Sequence, residues 1–281
     1  MAGGADIRLL RQDGVERLIS WAATEGWNPG LADAAAFHAA DPEGFLGAFV
    51  NDEMVAGISA MRYGADFGFI GLYICRPDWR GKGYGKAVWD AAMQRLEGRI
   101  VGLDGVPEQQ QNYASMGFRA VYQTRRWSGV FPGSFSTPDA AIVDAARLPL
   151  SAVAEFDRSG FFAPRLAFLE AWLSVPHKAR ACTRAGKIVG YGVVRRCLDG
   201  FKIGPLFAET VEDAHALMQD LARGCEEQVF HLDIPDTASS FVRLLVSNGF
   251  QPGFATARMY RGDPPVVQQS WVQAVTSLEL G

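Results

Sequence analysis

Cysteine and histidine are both scarce in this chain, at four each in 281 residues. Cys75, Cys182, Cys197 and Cys225 lie far apart with no C-x-x-C pair, which argues against a zinc ribbon or redox dithiol and for reduced thiols. The histidines are equally scattered, so no metal site is expected. Basic charge is short as well. Lys and Arg number 27 against 31 Asp and Glu, for a net charge of −4, and no basic run occurs. No nucleic acid partner is expected, because phosphate recognition wants a basic face. No apolar run approaches membrane-spanning length, and residues 1–14 have no apolar core flanked by basic residues. The expectation is a cytoplasmic protein that meets no membrane. What the chain does have is apolar content, 48% of residues, and a length comfortable for two domains.

The chain also repeats itself. Ala56-Gly57 followed by Gly71 returns as Val189-Gly190 followed by Gly204, and Gly57 to Gly190 is an offset of 133. Met116-Gly117-Phe118 returns as Asn248-Gly249-Phe250 at an offset of 132. Ser128-Gly129 returns as Arg261-Gly262 at 133, and Glu25-Gly26-Trp27 is echoed by Ser159-Gly160-Phe161 at 134. Each copy predicts a strand (7–10; 142–145), a helix (15–25; 150–157) and a second helical segment. Antiparallel strands follow, at 45–50, 54–62 and 68–75 in the first copy, with Asn51-Asp52-Glu53 and Arg184-Ala185-Gly186-Lys187 as polar turns. Then come a long helix (84–97; 211–225), a strand (100–104; 229–233), a short helix and a closing pair of strands. The Pro/Gly/Ser stretch Phe131-Pro132-Gly133-Ser134-Phe135-Ser136-Thr137-Pro138 marks the boundary. The expected organisation is an α/β protein with domains at 1–133 and 134–262. A tail, 263–281, opens on Pro264-Pro265 and has the alternation of an added strand at 271–280.

Between the strand at 67–75 and the helix from Tyr84 stands Arg80-Gly81-Lys82-Gly83-Tyr84-Gly85. Glycines here let the backbone curl and approach a ligand where a Cβ would clash. A loop that opens a helix presents free N–H groups and the positive end of the helix dipole, which suits a pyrophosphate, and Arg80, Lys82 and Lys86 add charge. Other phosphate motifs fail. Lys86 is followed by Ala87 rather than Ser or Thr, and a G-x-G-x-x-G counted from Gly81 would need its third glycine at Lys86.

This order of elements, with Arg80-x-x-Gly83-x-Gly85 as Q/R-x-x-G-x-G/A, resembles the GNAT superfamily of N-acetyltransferases. The turn Arg76-Pro77-Asp78-Trp79 and the downstream Tyr113-Ala114-Ser115-Met116-Gly117-Phe118, as Y-x-x-x-G-F, strengthen the resemblance. More narrowly the chain is similar to a bacterial two-domain subgroup. That likeness is carried by Glu25-Gly26-Trp27-Asn28-Pro29-Gly30, Leu103-Asp104-Gly105-Val106, Gly204-Pro205-Leu206 and Ser277-Leu278-Glu279-Leu280-Gly281. The implied fold is two tandem GNAT-like domains, each a largely antiparallel central sheet flanked by helices. Coenzyme A is the implied ligand, brought as acetyl-CoA. The backbone of Tyr73, Ile74 and Cys75 would hold its pantetheine arm and polarise the acetyl carbonyl. Arg80, Gly81, Lys82, Gly83, Tyr84, Gly85 and Lys86 would cradle its pyrophosphate. Tyr113 would protonate the leaving thiolate, or else simply pack and cap its helix. The Asn that the superfamily commonly carries near the start of this helix is replaced by Gly105-Val106-Pro107.

Asp104 stands as a base or as a turn cap. Trp27, Asn28 and Asp33 lie where relatives admit the acceptor, although a lone Trp also anchors cores. Cys75 reads as a buried thiol with no histidine nearby. At an offset of 133 the loop maps onto Asp213-Ala214-His215-Ala216-Leu217-Met218, and Tyr113, four residues before Gly117, maps four residues before Gly249 onto Leu245, so the second copy would be catalytically silent and wall the acceptor cleft. There Asp233 and Asp236 either present carboxylates to a cationic substrate or cap turns. The expected activity is transfer of an acetyl group from acetyl-CoA to a primary amine of a small-molecule acceptor, by direct attack in a ternary complex. The alternatives are a non-catalytic acyl-CoA sensor and transfer of another acyl group, decided by the pocket beside Tyr73 and Met61. A monomer or a homodimer would suit either.

Overall fold

A computed structural model describes residues 5–131, 141–225 and 227–281; the boundary stretch Pro132 to Pro138 lies outside the described residues. The first half runs β1 (Asp6–Leu9), α1 (Gln12–Thr24), α2 (Asp33–Ala40), β2 (Phe45–Val50), β3 (Glu53–Tyr63), β4 (Phe67–Cys75), α3 (Tyr84–Arg95), β5 (Ile100–Gly105), α4 (Pro107–Ser115) and β6 (Arg119–Val130). The second runs β7 (Ala141–Asp144), α5 (Leu150–Asp157), α6 (Leu166–Trp172), β8 (Lys178–Arg184), β9 (Lys187–Arg196), β10 (Phe201–Ala208), α7 (Val211–Ala222), β11 (Val229–Pro235), α8 (Ser239–Ser247) and β12 (Gln251–Arg261), with β13 (Val272–Ala274) in the tail.

Local chemistry accounts for the repeated order. Asn51 and Asp52 turn β2 into β3 with φ of 48° and 63°, and Ala185 and Gly186 do the same between β8 and β9 at 50° and 76°. Two consecutive residues in the left-handed region match the twist of a tight hairpin. The short helices α4 and α8 both stop at a left-handed glycine, Gly117 (φ 89°) and Gly249 (φ 83°), a common helix ending. The buried Phe118 and Phe250 follow directly.

The halves are not two separate sheets. All the strands join one sheet in the order β1-β2-β3-β4-β5-β12-β6-β11-β10-β9-β8-β7, with β13 beside β10. Each half ends in one long strand where a closing pair was expected, and the two long strands change places. β12 of the second half pairs with β5 of the first (Arg258↔Asp104), and β6 of the first pairs with β11 of the second (Arg126↔Asp233). β6 and β12 then pair with each other, Thr124 opposite Thr256, so the closing pair forms between the halves.

Two buried ion pairs lock this exchange. Arg126 Nε and Nη2 donate to Asp233 Oδ1 and Oδ2, both at 2.8 Å. Arg258 Nε and Nη2 donate to Asp104 Oδ1 and Oδ2 at 2.9 and 2.8 Å. Bidentate guanidinium–carboxylate pairs fix geometry as well as charge. Further burial binds the halves: Phe37 on α2 stacks on Trp172 of α6 at 5.9 Å, and Phe67 of β4 meets Phe161 at 6.0 Å. One apolar cluster accordingly draws residues from both halves, while separate clusters lie under α3 and α7.

The fold opens in one place and is closed in its counterpart. β4 is parallel to β5 only from Phe67↔Ile100 to Ile70↔Leu103. Beyond it the register with β3 slips between Gly57 and Ser59, and Leu72 sits at φ 46°. Such a bulge bends a strand and ends its pairing. In the second half β10 is parallel to β11 only over Phe201↔Phe230 to Ile203↔Leu232, so the same gap begins there. Here the tail fills it: β13 pairs with Leu206 and Phe207, and Val275 N–H donates to the Asp233 carbonyl at 2.9 Å. A Cβ at Gly204 would lie 2.5 Å from the carbonyl oxygens of Val275 and Thr276, so glycine is needed for this approach. The tail then crosses to the first half, where a Cβ at Gly71 would run into the Glu279 carbonyl.

Candidate active site

The open gap between β4 and β5 is a cavity of 530 Å³. Gly71 to Cys75 of β4 line one wall; Leu103 and Asp104 of β5 with Tyr113 of α4 line the other. Trp27, Phe254, Thr256, Leu278 and Glu279 also line it, so β12 and the tail contribute to a site housed in the first half.

At its mouth a 3₁₀ turn, Pro77–Trp79, leads through residues 80–83 into α3. Gly81 (φ 75°) and Gly83 (φ 92°) hold left-handed conformations that favour glycine, and Gly83 is the N-cap. The first-turn N–H groups of Tyr84 and Lys86 have no acceptor among the described residues, as expected of a helix start. A Cβ at Gly85 would stand 3.0 Å from the Tyr73 hydroxyl. Tyr73, Ile74, Cys75 and Arg80 line the cavity itself; Gly81 to Lys86 form the loop beside it. Arg80 donates to the Cys75 carbonyl at 2.9 Å and pairs with Glu25, the Lys82 ammonium lies 4.9 Å over the Trp79 ring, and Lys86 pairs with Asp90. Burial pushes the Cys75 thiol up, against the Gly85 N–H and Arg80, so this thiol is held neutral.

Tyr113 is 8% exposed and stacks on Trp89 at 5.4 Å. Gly105 makes room for it, since a Cβ there would be 3.1 Å from the ring. Its hydroxyl has no hydrogen-bond partner among the described residues, and its ring lines the cavity. Burial pushes the phenol up to about 12, with Tyr73 adding to the effect, so it stays protonated at neutral pH and can donate.

Four carboxylate or amide candidates require correction. The Asp104 side chain is fully buried and held bidentately by Arg258, so it is not a free base. Burial raises its pKa, Arg258 opposes this, and Asp233 and Glu279 add to the rise. Asp233 is committed to Arg126 in the same way and is therefore no substrate ligand. Asp33 is fully buried beneath the halves' interface, paired with Arg195 and accepting from Gly30 N–H. Asn28 is tied to Asp199, donating to its carbonyl at 2.8 Å and accepting from its N–H at 3.1 Å. Strand exchange takes Asp104 and Asp233, burial between the halves takes Asp33, and an exposed pair of hydrogen bonds across the halves takes Asn28, all through partners remote in sequence. Trp27 does line the cavity, and its carbonyl accepts from Arg126 at 2.8 Å and Lys202 at 3.3 Å.

Thr256 and Glu279 were missed as site residues. The buried Thr256 Oγ1 has no partner among the described residues. A lone carboxylate between apolar leucines, Leu278-Glu279-Leu280, was the one signal for the second.

The second half departs further than substitution at fixed spacing would make it. Residues 76–83 connect β4 to α3, but only Glu209 and Thr210 connect β10 to α7, so the loop is deleted. Thr210 caps α7, its hydroxyl accepting from Asp213 N–H at 3.1 Å, and Asp213 pairs with Arg184 where an anion would sit. Leu245 replaces the tyrosine in the buried core. Among the described residues no group of acidic, thiol and imidazole side chains could hold a metal, and no helix is long and apolar enough to cross a membrane.

Residues 12–118 match the model of the acetyltransferase (GNAT) family and residues 153–272 that of an acetyltransferase (GNAT) domain. The chain belongs to the GNAT family and is a tandem GNAT acyltransferase. It is 35% identical to the holothin acyltransferase of Pseudoalteromonas sp. (strain SANK 73390), over 93% of this chain and 89% of that one. In fold it is similar to a protein of Pyrococcus horikoshii whose acetyltransferase assignment is provisional, with TM-score 0.83 and 20% identity over 99% of this chain and 96% of that one. A tandem GNAT protein from the clavulanic acid biosynthesis pathway aligns with TM-score 0.63 and 12% identity, over 93% and 100%.

Proposed function

We propose that the chain transfers an acetyl group from acetyl-CoA, as co-substrate, to a primary amine of a small molecule, in one active site in its first half. The observation that carries this is the pairing of an open wedge at β4 with a protonated, unpartnered Tyr113 hydroxyl on its wall. The loop at residues 80–86 suits the pyrophosphate through its free N–H groups and the end of the α3 dipole. Backbone groups of Tyr73, Ile74 and Cys75, freed where β4 leaves β5, suit the pantetheine amides and the thioester carbonyl. Tyr113 supplies the proton for the departing thiolate. The holothin acyltransferase is consistent with a small-molecule acceptor. No observation favours the binding-only alternative.

Gly83→Glu and Gly85→Glu test the loop, since each places a side chain and negative charge on the phosphate path. Calorimetry should show acetyl-CoA binding abolished in both; undiminished binding refutes the assignment.

A further inference from the structure

Glu279 is a buried side chain whose carboxylate makes no direct bond to a neighbour among the described residues. It is 3% exposed and lines the active-site cavity. Among the described residues its carboxylate makes no ion pair or hydrogen bond; only its backbone oxygen is used, accepting from Ser59 Oγ at 3.3 Å. Arg126 and Lys202 act on the carboxylate electrostatically, but neither hydrogen-bonds to it: Arg126 of β6 is held by Asp233 of β11 and Lys202 of β10 donates to the Trp27 carbonyl, while Asp104 of β5 is held by Arg258 of β12. A buried carboxylate that makes no hydrogen bond is costly, and one that faces a cavity is placed to bond to what enters it. The partner that fits a carboxylate is a cation with hydrogens to donate.

The position is rigidly built. Thr276 Oγ1 accepts from Arg165 at 2.8 Å and the Thr276 carbonyl from Arg195 at 3.3 Å, while the Tyr63 hydroxyl donates to the Leu280 carbonyl at 3.0 Å. The Thr256 hydroxyl lies in the same cavity wall without a partner among the described residues. Trp27, Phe254 and Leu278 give the remaining wall apolar character.

We propose that Glu279, carried by the tail, is the catalytic residue that binds the acceptor's primary ammonium and takes its proton, and that the acceptor is a small aryl-alkyl amine. This rests on the acyl-transfer reading. Glu279 accepts one proton from R–NH3+, leaving R–NH2. The nitrogen lone pair forms the new C–N bond at the thioester carbonyl carbon, and the C–S bond breaks with its electrons on sulfur. Tyr113 protonates that sulfur and regains a proton from the acylated nitrogen. Glu279 releases its proton to water, so one proton leaves per turnover, with the amide and free thiol.

The test is calorimetric titration of benzylammonium into the full chain saturated with coenzyme A, with benzyl alcohol as the neutral counterpart. Wild type should prefer the cation by about tenfold or more, the size of a charged hydrogen bond. Glu279→Gln should erase that preference and Glu279→Asp should keep part of it, with acetyl-CoA affinity unchanged in both. In steady state Glu279→Gln should lower kcat and raise KM for benzylamine. Absence of benzylammonium binding by wild type, or equal affinity for the two probes in wild type, overturns the proposal even if a variant fails to fold. Failure of acetyl-CoA to bind wild type would instead remove the acyl-transfer reading, and benzylammonium titrated without coenzyme A still reads Glu279.

Discussion

The two halves start the same gap between parallel strands and finish it differently. In the first, β4 bulges at Leu72, leaves β5 and opens a cavity. In the second, β10 leaves β11 at the equivalent point and the chain's own tail occupies the space. Gly71 and Gly204, related by the repeat, each accept the tail's backbone against a face that a Cβ would block. The scaffold therefore specifies a gap between strands and leaves open what enters it. The second half has become an anchor for the tail, and the tail brings Glu279 to the cavity of the first half.

The largest effect should come from breaking one of the two exchanged ion pairs. Arg258→Ala leaves Asp104 buried and unpaired and should cost about 3–5 kcal/mol in urea unfolding, with Arg126→Ala similar through Asp233. A much smaller loss in either would show that exchange does not depend on that pair. Tyr113→Phe should lower kcat about a hundredfold, with acetyl-CoA affinity intact. A change in affinity alone would make Tyr113 a packing residue like its counterpart Leu245.

Acid should separate the two pairs. In the fold Asp233 is brought down to about 2 from 3.8, because Arg126, Lys202 and Arg195 outweigh burial. Its contribution, about 2 kcal/mol, is fully present above about pH 4 and is lost as pH falls through about 2. Asp104 is shifted upward, so folding favours its protonated form and its contribution declines as pH rises past 3.8. Urea midpoints between about pH 2 and 6 should show the gap between wild type and Asp233→Asn narrowing on acidification; a constant gap would contradict the shift.

The smallest effects should come from the paired glycines. Gly204→Ala and Gly71→Ala each force tail backbone to move, at roughly 1–3 kcal/mol of stability. Only Gly71→Ala, which displaces Glu279, should also lower turnover of benzylamine. Equal kinetic effects would mean that the tail moves as one piece.

The repeat, the order of elements up to the closing strands and the helix-entry loop were legible in the residues themselves, and Tyr113, singled out through the family resemblance, lines the cavity. Gly83, Asn51-Asp52 and the Gly117 stop act through their own backbone angles and near neighbours, so spacing alone exposes them. The tail was legible only in part: alternation over 271–280 suggested a strand, and three residues of it, Val272–Ala274, pair with β10. Asp33, Asn28, Asp104 and Asp233 were misjudged because their partners are remote. Asp104 meets a residue 154 positions away, Asp233 one 107 away, and the Glu279 carbonyl meets Ser59 across 220.

The sequence by itself determined a tandem GNAT chain with a phosphate-suited loop in its first half alone, since those features are written in local spacing and conformational preference. Only the tertiary structure decided that the last strands exchange, that the loop's counterpart is deleted, and that the tail fills one wedge while furnishing a carboxylate to the other. Burial and charge pairing join residues whose separation along the chain carries no signal of their contact.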